Sequence, residues 1–107
     1  MAGVIVRASL ADNGTAPGRR VLFRCRGCGN AHQVVVDVPD GGWSWNGNLE
    51  RPSFSPSVLV HEIRRDDGSL YAPRCHSFVT DGRIEYLPDS THSLAGQTVD
   101  LPPWGER

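Results

Sequence analysis

The chain has 107 residues, a formal net charge of −1 and 38% hydrophobic residues. That length suits one domain rather than two, and the near-neutral balance speaks against general binding of polyanions. All eleven basic residues are arginine, which leaves no lysine for Schiff-base catalysis. With 12 Gly and 8 Pro the core is expected to be thin and in need of a cross-link.

Residues 4–10 alternate weakly and predict a strand, and 12–18 read as a loop. Residues 20–24 are strand-like and run directly into Cys25, Cys28 and Gly29. Residues 32–38 are β-branched and predict a second strand, so the two pair as a hairpin whose turn carries the cysteines. After the break at 39–42, Trp43 to Trp45 alternate, and Asn46-Gly47 predicts a two-residue hairpin turn. The proline-flanked stretch 52–56 should be extended. Residues 58–63 predict a strand and 66–69 a turn. Asp81-Gly82 predicts a tight hairpin of 75–80 with 83–87, in which Val79 faces Ile84 and Ser77 faces Tyr86. Cys75 then lies opposite Pro88. Asp89 or Ser90 is placed to cap a short helical turn ending at Gly96. The whole predicts a mainly β, single small domain of β-hairpins with a zinc-ribbon-like knuckle. Its core covers about residues 20–101, with 102–107 loosely held.

Three cysteines cannot all pair within one chain, and Met1 to Ala11 lacks a secretory pattern. No apolar run approaches the roughly 20 residues that span a bilayer. The expected compartment is the cytoplasm, where clustered cysteines point to metal. Two thiolates two residues apart can bite one tetrahedral ion, and Cys75 is the natural third ligand. Of the four histidines, His92 ranks first as the fourth ligand, because it lies just beyond the expected neighbour of Cys75. His76 ranks second, since on a strand it points away from Cys75, and His32 ranks third. His61 reads as a mid-strand surface residue. A sulfur-rich tetrahedral site favours zinc, with iron the competitor. Binding should contribute on the order of 10 kcal/mol to folding.

Most of the chain carries the motifs of a known group. These are Cys25 and Cys28 with His32, and the stretches 43–47, 50–57, 75–78, 81–84 and 90–96. In them the sequence resembles a phage and prophage family of small proteins, some of which are labelled ammonia monooxygenase or anaerobic dehydrogenase. The resemblance implies a zinc-binding phage accessory protein in the host cytoplasm. It also raises His76 as the rival fourth ligand, since distant relatives keep a histidine there.

Motifs for catalysis are missing. The zinc-deaminase pattern fails because Arg24 stands where proline is needed and no histidine precedes Cys25. His61-Glu62 is followed by Arg65 rather than a second histidine, and there is no Gly-x-Ser-x-Gly elbow. No catalytic residue is assigned on these grounds. One surface stands out: Trp43, Trp45, Asn46, Arg51, Ser53, Ser55 and Ser57. Its tryptophans can stack a base or clamp a proline-rich peptide, and its arginine and hydroxyls can hold an anion. Against that, the tryptophans can simply cover a small core. The leading expectation is a structural-zinc module that engages a host or phage protein, as a monomer or homodimer. One alternative is a zinc hydrolase with an open metal position and His76 or Glu85 as base. The other is a nucleic-acid binder using Arg19, Arg20, Arg24 and Arg26 with Trp43 and Trp45.

Overall fold

Residues 4–105 are described by the computed structural model. Alternation with period two sorts the side chains of β2 (Arg19–Cys25) and β3 (Asn30–Val36) into two faces. Val21, Phe23 and Cys25 turn inward on β2, as do His32, Val34 and Val36 on β3. The strands pair antiparallel with Cys25 opposite Asn30, so the cysteine knuckle is the tip of a hairpin, as the spacing predicts. β1 (Ala8–Asp12) joins the other edge of β2, later in the chain than its weak alternation suggests. Ala8 is the buried residue there, whereas Val4, Ile5 and Val6 are exposed.

The second sheet runs β11-β10-β9-β6. It contains β6 (Val58–Val60), β9 (Cys75–Thr80), β10 (Arg83–Tyr86) and β11 (Thr98–Asp100). Asp81 and Gly82 both take positive φ, 52° and 78°, which suits a two-residue turn between right-twisted strands. The register is the predicted one, Val79 opposite Ile84 and Ser77 opposite Tyr86. β11 carries no sequence prediction, because Val99 is its only apolar residue. The strand expected over 58–63 ends early at Val60. Ile63 and Arg64 form β7 (Ile63–Arg64), which pairs through a bulge with β8 (Leu70–Ala72) around the predicted turn.

Asn46-Gly47 is not a two-residue turn. β4 (Ser44–Trp45) pairs with β5 (Phe54–Ser55) through Trp45 and Phe54, leaving 46–53 as a longer loop. Asn46 organises it through its side chain. Its Oδ1 accepts the N–H groups of Asn48 at 3.2 Å and Ser53 at 3.1 Å, and its Nδ2 donates to the Arg51 carbonyl at 2.9 Å. A side chain that mimics a turn backbone holds the loop in place of a tight turn. No helix forms among the described residues. The predicted cap, Ser90, spends its hydroxyl on β9 instead. None of the described elements is a helix long and apolar enough to cross a membrane.

The core lies where the sheets meet. Phe23 stacks on Phe54 at 5.6 Å, and Val58, Val79, Ile84, Tyr86 and Leu101 are buried with them. In the C-terminal stretch Trp104 makes contacts with two other parts of the chain. The Trp104 N–H donates to the Val6 carbonyl at 2.8 Å, and the Arg24 Nε–H donates to the Trp104 carbonyl at 2.8 Å. The same guanidinium lies 4.8 Å over the Trp104 ring, a cation–π contact that the sequence alone does not pair. Residues 106–107 lie outside the described residues.

Candidate functional site

Three strands and the knuckle bring together four side chains that could hold a metal ion. Cys25 ends β2, Cys28 sits in the knuckle, His32 faces inward on β3 and Cys75 opens β9. Their ligand atoms all lie within 4.8 Å of one another. The Cys25 and Cys75 sulfurs are 3.8 Å apart. Tetrahedral coordination with metal–sulfur bonds of about 2.3 Å places sulfurs about 3.8 Å apart, so the spacing fits a bound ion. His32 is 8% exposed and its Nε2 is buried with no hydrogen-bond partner. A buried unpaired ring nitrogen costs free energy unless something binds it, and a cation among the sulfurs would do so.

The knuckle backbone supports this arrangement. The Cys28 N–H donates to the Cys25 sulfur at 3.3 Å. The Tyr86 hydroxyl lies 3.2 Å from the same sulfur and accepts the Gly27 N–H at 3.4 Å. Hydrogen bonding from Cys28, then from Cys75, holds the Cys25 thiol far below the ordinary range. The contact with Cys25 pushes Cys28 up to about 12 and drives Cys75 upward too. Burial first, and Cys25 second, push the Tyr86 phenol up. One negative charge among three sulfurs is all that neighbouring thiols tolerate, whereas a divalent cation lets all three ionise.

His92, the first-ranked fourth ligand, lies outside this group. Its ring meets Tyr86 edge-on at 4.5 Å and packs on the knuckle. A Cβ at Gly27 would stand 2.3 Å from the His92 ring, so only glycine admits it there. His92 also has a buried Nε2 without a partner, while its Nδ1 accepts the Leu94 N–H at 3.2 Å. The reason for the exchange is register: His32 is on the inward face of β3, two residues from the end paired with Cys25.

His76, the second-ranked ligand, faces away from the sulfurs, as its neighbour Cys75 faces in. β6 pairs with β9 so that Leu59 lies opposite His76. Ser57, one residue before β6, shares that outer face. The Ser57 Oγ lies 3.0 Å from His76 Nε2. On the far side of the ring, His76 Nδ1 is 3.2 Å and 3.1 Å from the two carboxylate oxygens of Asp89. With the proton on Nδ1 donated to Asp89, the Nε2 lone pair faces the serine hydroxyl. A hydroxyl, an imidazole and a carboxylate thus stand in the order that serine hydrolases use, where geometry rather than chain order identifies such a triad.

The loop that carries Asp89 is stapled to β9. Ser90 Oγ accepts the His76 N–H at 3.0 Å and donates to the His76 carbonyl at 3.1 Å. Thr91 Oγ1 accepts the Arg74 N–H at 2.7 Å. The sequence assigns no catalytic residue, and tertiary contact brings Ser57, His76 and Asp89 into one row. Ser57 lay inside the noted serine-proline surface, His76 entered only as a ligand or a metal-dependent base, and Asp89 only as a cap.

The remaining surface residues are mostly committed elsewhere. Trp43 and Trp45 are half-buried against the core, and the Trp43 Nε1–H donates to the Ser57 carbonyl at 3.2 Å. Ser53 Oγ accepts the Asp81 N–H at 2.7 Å, and Arg51 lies 3.9 Å from the Asp81 carboxylate. Ser55 is exposed on β5, and Glu85 is exposed on β10. Among the basic cluster, Arg19 pairs with Asp37, Arg20 donates to the Asp12 carbonyl and Gln33, and Arg24 holds Trp104. A concavity of about 490 Å³ lies on the knuckle flank, lined by Arg24, Arg26, Asn30 and Pro102 among others. Ser57, His76 and Asp89 do not line it.

A family model described as bacterial ubiquitination-like system serine protease (BubE) matches residues 4–87. No curated protein and no solved structure matches the chain.

Proposed function

The chain belongs to the BubE family, described as a serine protease of a bacterial ubiquitination-like system, and from that premise we propose that it is a serine hydrolase cleaving an amide bond of a polypeptide. The observation that carries this is the Ser57–His76–Asp89 chain of contacts at 3.0 and 3.1 Å. His76 Nε2 takes the proton of Ser57 as Oγ bonds to the scissile carbonyl carbon. The C–N bond then breaks, the amine leaves with the proton from His76, and an acyl-serine remains. Water, deprotonated by the same imidazole, attacks the ester. The carboxylic acid departs, and Ser57 regains its proton. Asp89 holds the productive tautomer and stabilises the imidazolium formed in each half-reaction.

Zinc in the Cys25–Cys28–His32–Cys75 group is proposed as a structural ion. Three sulfurs and one imidazole suit zinc best among common divalent metals. A set of four protein donors favours a closed site over the zinc-hydrolase alternative. The ion would tie the β2–β3 hairpin to β9, and so would fix the backbone from which His76 projects.

Labelling with a small fluorophosphonate tests the proposal. The purified protein should be modified on Ser57, mapped by mass spectrometry. Ser57→Ala should abolish labelling, and Asp89→Asn should slow amide hydrolysis by on the order of 10⁴-fold. Ser55→Ala, two residues away, should label like the parent. Undiminished labelling or hydrolysis in Ser57→Ala would sink the assignment.

A further inference from the structure

Serine and histidine occupy one diagonal of a four-residue square on the outer face of β6 and β9. Leu59 stands opposite His76, and the same register carried back one residue sets Ser57 opposite Phe78. Leu59 and Phe78 therefore occupy the other diagonal, on either side of the Ser57–His76 contact. Residues two apart share a face and directly opposed residues share it too, and the 3.0 Å contact of Ser57 Oγ with His76 Nε2 keeps Ser57, just before β6, on that face.

Both apolar side chains stand open, Leu59 at 42% and Phe78 at 43% relative exposure. Scattered exposed apolar residues are ordinary, but two that bracket a nucleophile are placed where a bound chain must pass. β6 also lies at the end of its sheet, paired only with β9. Its other edge has no strand partner among the described residues, and such an edge can accept an extended peptide by main-chain hydrogen bonding.

Building on the serine-hydrolase assignment, we infer that Leu59 and Phe78 form a specificity subsite for a polypeptide substrate. It takes the apolar side chain of the residue bearing the scissile carbonyl. The carbonyl carbon must come within reach of Ser57 Oγ, so that residue's side chain falls beside one or both of these neighbours. Apolar contact there is realised in water-exposed positions, so substrate binding removes apolar surface from solvent on both partners. An acidic or amide side chain at that position would be desolvated without a partner.

Peptidyl diphenyl phosphonates test this, since they report acyl-side preference through the rate of serine modification. A matched pair carrying leucine or aspartate at the phosphonate residue should label Ser57 at different rates, with leucine faster by roughly tenfold or more. In Leu59→Ser/Phe78→Ser the ratio, with each rate divided by that variant's own small-fluorophosphonate rate, should fall towards one. An equal rate for both probes on the parent protein, or an intact preference in the double variant, would overturn the subsite. A double variant that loses small-probe labelling as well is replaced by Leu59→Gln and Phe78→Gln singly, read by the same ratio. Failure of the small probe on the parent protein would instead remove the hydrolase assignment beneath it.

Discussion

Position among the three sulfurs distinguishes His32 from its rivals. His32 Nε2 is enclosed and unpaired within reach of three sulfurs, whereas His76 spends both ring nitrogens on Ser57 and Asp89. His92 likewise has a buried, unpaired Nε2 but is less buried as a residue and sits against Tyr86 and Gly27. His32→Ala should therefore lower the bound zinc measured on the purified protein and weaken its affinity, typically by tenfold or more. His76→Ala should keep zinc at the parental stoichiometry while losing fluorophosphonate labelling. Zinc retained by His32→Ala and lost by His76→Ala would reverse the ligand assignment. Cysteine spacing marked Cys25 and Cys28 because two ligands on one knuckle are a local feature. The fourth ligand was ambiguous because His32 and His76 lie close to a cysteine in the chain and His92 lies close to the expected neighbour of Cys75, and only the tertiary structure separates them.

At the scale of the element, β9 carries two chemistries on opposite faces. Cys75 and Ser77 point inward, and His76 points to the face of Ser57. Alternation makes this unavoidable once the strand is regular. The Asp81-Gly82 hairpin was legible because its turn and both strands are contiguous in the chain. The loop 46–53 was not, since the fold routes Asn46 into a side-chain clamp of three hydrogen bonds, with Asn48, Ser53 and Arg51. Asn46→Ala removes all three and should lower stability by about 1–3 kcal/mol, measured by urea denaturation. An unchanged midpoint and slope would show that the loop holds itself by other means. The effect on Ser57 labelling should be small, because the loop bonds to the Asp81 turn through Ser53 rather than to the triad.

Across the molecule, the cysteine–histidine group joins the first sheet to the second, since Cys25 belongs to β2 and Cys75 to β9. An ion held by both would be worth about as much as the entire stability of an ordinary small domain. A strong chelator under reducing conditions should therefore unfold the protein cooperatively, followed by circular dichroism, and added zinc should restore it. Labelling of Ser57 should disappear over the same chelator range, because Cys75 and His76 are adjacent on one strand. A chelated protein that keeps its melting transition would remove the structural role of the ion. The mainly β class, the knuckle and the β9–β10 register were all determined by the sequence itself, because alternation, turn chemistry and ligand spacing act over a few neighbouring residues. The grouping of His32 with the three cysteines and the alignment of Ser57, His76 and Asp89 were decided only by tertiary structure. Those residues come from separate stretches of chain, and it is the pairing of β6 with β9, together with the Ser90 staple, that brings them within hydrogen-bond distance.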